Sequence, residues 1–185
     1  MLAVQDMFSY VKPALTPAWD QVHVWEELEP SVLTTPCPLE VLHAAVVLAR
    51  SWSWCVFARY LTHCFYGRHR GIELRGCRRS DCFGPADLVP GHKLYTRVLK
   101  PKNAWAGPKV QHSVVSDPEV VDYLTGGLEG LEPDDLVYPF SRAQAKARWD
   151  RLLQALGIDP ATLPPRSLRG GGTVQLFERT QNVGL

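Results

Sequence analysis

Between Leu39 and Tyr66 the apolar residues recur at spacings of three and four: Val41, Leu42, Ala45, Val46, Leu48 and Ala49, then Val56, Phe57, Tyr60, Leu61 and Phe65. That period belongs to helices with a face in a core, not to strands. Ser51-Trp52-Ser53 interrupts it, so the pattern predicts two buried helices in succession. A chain of 185 residues is long enough to bury a core around such a pair. With 45% hydrophobic and 21% charged residues, the composition argues against wholesale disorder.

The flanking signals fill in an α+β domain. Residues 1–38 carry Pro13, Pro17, Pro30, Pro36 and Pro38 with an acidic patch at Glu26, Glu27 and Glu29. They read as a leader or linker with one helix around Trp19–Leu28, and residues 39–185 as the folded domain. Arg70 and Glu73 fall on one face of a short third helical turn. Lys93–Leu99 alternates and reads as a strand, Val110–Val115 as a weaker second one. The Pro-, Asn- and Gly-bearing stretch from Lys100 to Pro108 reads as the hairpin loop between them. Asp117-Pro118 caps and opens a helix through Leu124, which Gly126, Gly127 and Gly130 end. Ser141 caps another, whose apolar face is Ala145, Trp149, Leu152, Leu153 and Leu156, with Gly157 as its stop. A stiff loop with Pro160, Pro164 and Pro165 leads to the last segment. There Gly170-Gly171-Gly172 reads either as a loop or as a place where backbone approaches a phosphate. The expected fold is mainly helical with a small antiparallel β-sheet.

The formal charge is only +1, yet its distribution is uneven. From Arg50 to Lys109 there are twelve Lys/Arg against three acids; Gln111–Phe140 has seven acids and no Lys or Arg; from Ser141 onward seven basic residues face three acids. A basic region inside a near-neutral chain points to a polyanion bound on one face. No apolar run approaches the roughly 18 residues of a membrane span, and the N-terminus lacks the pattern of a secretory signal. The reading is a soluble intracellular protein, nuclear if the host is eukaryotic and otherwise cytoplasmic. Five cysteines (Cys37, Cys55, Cys64, Cys77, Cys82) form no disulfide framework. A zinc site from His63, Cys64, Cys77 and Cys82 is the sharper alternative, but Cys77-x4-Cys82 falls outside the usual tight ligand pair. Buried or indifferent thiols are preferred.

Two short runs carry chemistry. Phe65-Tyr66-Gly67-Arg68-His69-Arg70-Gly71-Ile72-Glu73-Leu74, followed by Arg78-Arg79-Ser80-Asp81, resembles the first motif box of the tyrosine recombinase (phage integrase) family. Pro165-Arg166-Ser167-Leu168-Arg169-Gly170-Gly171-Gly172, about a hundred residues later, resembles the second. The order of helix, proline loop and second box also matches, over roughly Leu39–Leu185. The resemblance implies that Arg70 and Arg169 are the two phosphate-gripping arginines and Glu73 the acidic companion of the first. It makes Lys102, in the hairpin loop, the best-placed candidate for the catalytic lysine, ahead of Lys100 and Lys109. Arg68, Arg78, Arg79, Lys100 and Lys109 would add DNA contacts. The position usually held by His or Lys is Arg166, which can bind a phosphate oxygen but cannot act as a base near neutral pH.

The implied chemistry is DNA cutting and rejoining, in recombination or integration, through a 3′-phosphotyrosyl intermediate and without metal or nucleotide cofactor. Attack on a phosphodiester builds charge on the non-bridging oxygens, and two planar guanidiniums suit that charge better than lysines would. The implied partner is double-stranded DNA, with self-association on DNA possible within that scheme. All six tyrosines (Tyr10, Tyr60, Tyr66, Tyr95, Tyr123, Tyr138) precede Arg169, so by order none takes the nucleophile's place. The expectation is therefore an incomplete or inactive catalytic domain that binds DNA. The alternative is a non-catalytic helical DNA-binding or protein-interaction module derived from a mobile element. In the plainer reading, Arg70 and Glu73 are a surface ion pair and Lys102 a solvated loop charge.

Overall fold

The structure is a computed structural model and describes residues 34–87, 91–99 and 110–181, together with Thr16. The helix expected around Trp19–Leu28 lies outside the described residues, as do Lys100, Lys102 and Lys109 of the hairpin loop. The unit to which residues from Thr34 onward belong is α+β and mostly helical, with six helices and one three-stranded antiparallel sheet among the described residues.

Helices α1 (Leu39–Ser51) and α2 (Cys55–Tyr66) are the two that the apolar spacing predicts. Pro38 caps α1 in an extended conformation, where a missing N–H costs nothing, and Ser53 at a φ of 61° breaks the chain between the two helices. Leu42, Ala45 and Ala49 of α1 are buried against α2, which buries Phe57, Ala58, Tyr60, Leu61, Cys64 and Phe65. Helix α2 is buried over most of its circumference, so it forms the axis of the unit. Next come α3 (Gly71–Arg75) and the sheet, with β1 (Cys82–Phe83), β2 (Leu94–Val98) and β3 (Gln111–Val115) in that order. Leu94 pairs with Val115 and Thr96 with Ser113, which makes β2 and β3 the expected hairpin. Asp117 accepts a hydrogen bond from the Val120 N–H and opens α4 (Pro118–Thr125).

Helix α5 (Arg142–Ala155) starts with a reciprocal cap: Ser141 accepts from the Gln144 N–H, and Gln144 accepts from the Ser141 N–H. Its buried stripe is Ala145, Trp149, Leu152 and Leu153, while Gly157 turns the chain away at a φ of 72°. The last helix, α6 (Ser167–Thr180), runs straight through the three glycines. Read locally they belong to a loop, because each costs about 1 kcal/mol in a helix relative to Ala. Packing decides otherwise. A Cβ on Gly171 would lie 2.0 Å from the Cys37 carbonyl oxygen, and one on Gly172 would lie 1.8 Å from that of Phe65. The glycines thus let α6 press against the backbone of α2 and of the extended segment before α1, and Gly171 and Gly172 are buried away from any phosphate approach. The Cys37 N–H donates to the Ser167 carbonyl at 3.0 Å and ties that segment to the start of α6. Among the described residues no helix is long and apolar enough to cross a membrane.

The glycines give a paired test. A Cβ on Gly170 would meet nothing nearer than 3.6 Å. Gly170→Ala should therefore raise stability by up to about 1 kcal/mol through helix propensity. Gly172→Ala should lower it by about 1–3 kcal/mol or more, because backbone must move. Thermal or urea unfolding checks both, and equal effects would contradict the close crossing of α2 and α6.

Candidate functional site

The site grows out of the C-terminal end of α2. Gly67 follows the helix, Arg68 takes a left-handed turn at a φ of 54°, His69 is buried, and Arg70 caps α3. Glu73, one turn into α3, accepts from the Arg70 backbone N–H at 2.7 Å and from its guanidinium at 3.0 Å. His69 Nδ1 stands 3.8 Å from the same carboxylate. Burial pushes the Glu73 carboxyl up, but these His69 and Arg70 contacts outweigh it and hold the pKa down at about 2. The Arg70–Glu73 pair is therefore built into the start of α3, with the arginine side chain about one-third exposed.

The second half comes from α5 and the loop after it. Trp149 is buried and its indole N–H donates to the Leu163 carbonyl at 2.7 Å, which fixes the proline loop against α5. The Ser167 N–H closes on the Pro164 carbonyl at 2.8 Å and starts α6. Arg166 and Arg169 are exposed at that helix N-terminus, whose dipole adds positive potential.

These pieces enclose a hollow of about 790 Å³. Among the described residues its cationic lining is Arg70, Arg75, Arg142, Lys146, Arg166 and Arg169, no Asp or Glu lines it, and its apolar floor includes Phe57, Leu61 and Trp149. Arg75 donates to the Tyr60 hydroxyl at 3.4 Å, and Lys146 is paired with Asp150 one turn along α5. Arg142, Arg166 and Arg169 have no carboxylate partner among the described residues. Arg68 is not in this lining. Burial and the nearby charge of Arg169 both push the Arg68 pKa down, as expected where two guanidiniums are brought together.

Arg70 thus shares one hollow with Arg166 and Arg169, about a hundred residues later in sequence, and Glu73 is paired with Arg70. Arg78 and Arg79 do not line it. Arg78 reaches Asp134, and Arg79 pairs with Asp87 at 2.9 Å and donates to the Cys82 carbonyl at 2.7 Å. Sequence reading missed Arg75, Arg142 and Lys146. The last two were in principle visible, since Arg142, Lys146 and Trp149 sit at i, i+4 and i+7 on one stripe of α5.

Tyr60 also lines the hollow, but it is buried, and burial pushes its phenol further from ionisation. It is a wall of the site rather than a poised nucleophile. Cys77 and Cys82 are buried, with their sulfurs 3.5 Å apart. His63 is engaged elsewhere, through Tyr138 and Thr96, each at 2.9 Å. Among the described residues no group of three or more His, Cys, Asp or Glu is placed to hold a metal ion. No protein-family model, curated protein or solved structure matches this chain.

The Glu73 contacts set a pH signature. A carboxyl held near 2 when folded and near 4.5 when unfolded stabilises the protein above the unfolded value, and that contribution is lost as pH falls from about 4.5 toward 2. Unfolding measured across that window should show wild type losing stability more steeply than Glu73→Gln. Parallel curves would mean the carboxylate is not held as described.

Proposed function

We propose that this hollow grips the phosphate backbone of double-stranded DNA, and that the unit is a DNA-binding domain of the tyrosine recombinase type. The observation that carries the reading is the convergence of Arg70, Arg166 and Arg169 with three further cations in a lining that, among the described residues, holds no carboxylate. Arginine suits this role because its planar fork matches two phosphate oxygens and stays charged at any working pH. The α6 N-terminus adds its partial positive charge at the same place. In that family's chemistry the paired guanidiniums also stabilise charge that develops as the phosphodiester is attacked. Removing one such donor typically costs about 10²–10³ in rate. Cleavage further requires a tyrosyl oxygen in the hollow, which the buried Tyr60 does not offer. The reading is therefore one of phosphate grip, with strand cleavage dependent on a tyrosine that reaches the site from elsewhere.

A second reading, a protein-interaction module, is favoured by the apolar floor and by Ile72, which is 71% exposed on the rim. An acidic amphipathic segment would use both the cations and the floor, whereas a phosphate backbone uses the cations.

Salt separates them. Duplex affinity should fall with log salt by about 0.9 per phosphate contacted, and Arg166→Ala or Arg169→Ala should reduce that slope by about 1. Arg142→Ala should act in the same direction, since Arg142 lines the hollow. Arg179→Ala is the fair control, because Arg179 is exposed, pairs with Asp117 and lies outside the lining. A flat salt profile, or an equal effect from Arg179→Ala, would overturn the DNA reading. Strong loss from Ile72→Ser together with weak salt dependence would favour the protein partner.

A further inference from the structure

We infer that His69 is a positioning residue that fixes the aim of Arg70 into the hollow, through Glu73 on one side and Ser113 on the other; the inference rests on the phosphate-grip reading above. His69 is 3% exposed and lines the hollow between α2 and α3. One ring nitrogen, Nε2, lies 2.6 Å from Ser113 Oγ on β3; the other, Nδ1, faces the Glu73 carboxylate at 3.8 Å. A carboxylate on that side favours the tautomer with its proton on Nδ1, and Nε2 then accepts from the Ser113 hydroxyl. The ring edge packs against His63 at 5.1 Å, and His63 is itself fixed by Tyr138 and Thr96. A Cβ on Gly67 would lie 2.5 Å from the His69 ring, so the turn is shaped around it.

The consequence is a rigid chain from sheet to site. Ser113 sets the rotation of the imidazole, and the imidazole presents a positive edge to Glu73. Glu73, held as well by the Arg70 N–H, pins the guanidinium. At 3.8 Å the His69–Glu73 link is electrostatic rather than a hydrogen bond, so it steers the carboxylate. Ser113, His69 and Glu73 stand in the order of a nucleophile, base and acid, but Ser113 is not in the lining of the hollow. The arrangement therefore aims an arginine and does not build a hydrolase.

The test needs one readout without DNA and one with it. In spectra of ¹⁵N-arginine-labelled protein, the wild-type Arg70 Nη–H signal, from the nitrogen that donates to Glu73, should be resolved, and it should broaden or vanish in His69→Ala. The Arg79 signal, held by Asp87 in another loop, should persist as a fold control. His69→Asn, which keeps a donor near the Nδ1 position, should retain the Arg70 signal. With duplex DNA, His69→Ala should weaken binding roughly tenfold, yet add no further loss in an Arg70→Ala background. An unchanged Arg70 signal in His69→Ala, or an equal loss of affinity in both backgrounds, overturns the inference. If His69→Ala also loses the Arg79 signal, Ser113→Ala decides: it must loosen Arg70, and an unaffected signal sinks the proposal. Should the wild type bind no duplex, the phosphate-grip reading falls, while the spectra still decide the role of His69.

Discussion

The close crossing of α6 over α2 governs this unit. At Gly172 the two backbones meet at a distance that excludes any side chain, and at Gly171 α6 lies as close to the Cys37 backbone and the Phe65 ring. Helix α2 then ends in the turn that carries Arg70, and α6 begins with the turn that carries Arg166 and Arg169. Moving either helix outward by the width of a methyl group would separate the two arginine-bearing turns. The helix-breaking tendency of three glycines is offset by the burial of Phe65, Leu168 and Cys37 around the contact.

That geometry concentrates positive charge. Six cationic side chains share one hollow, while Glu73 and Asp150, the carboxylates paired with Arg70 and Lys146, are not in its lining. Cations over a low-dielectric aromatic floor raise the local potential and favour an anion that neutralises several of them at once. Other arginines are spent differently. Arg148 and Arg151 lie over the rings of Trp52, Trp54, Phe57 and Phe140, and Arg50 and Arg59 over Tyr123, where they act as much through packing as through charge. The basic excess seen in the sequence is thus only partly gathered at the hollow.

Much of the fold was legible because its signals are local. The apolar spacing of α1 and α2, the Asp117-Pro118 start of α4, the Ser141 cap of α5 and the alternation of β2 each encode an element within a few residues. What could not be read depends on contacts between distant segments. The two residues of β1 have no pattern of their own and are strand only because Cys82 and Phe83 pair with β2. Helix α6 runs against glycine's local preference because only glycine fits its crossing with α2. Within the site, Arg70, Arg166, Arg169 and Glu73 were singled out from short motifs. Arg75, Arg142 and Lys146 were not, because their place in the hollow comes from packing of α3 and α5. Arg78 and Arg79, expected as added DNA contacts under the resemblance, lie outside the hollow, where Arg78 reaches Asp134 and Arg79 pairs with Asp87.

The central claim is that the hollow between α3, α5 and the start of α6 holds a backbone phosphate. A structure of the protein with a short DNA duplex tests it most directly. The account predicts a phosphate within hydrogen-bond reach of Arg70, Arg166 and Arg169, with Arg142 close by. A duplex seated elsewhere on the surface, with the hollow empty or filled by a protein segment, would contradict it.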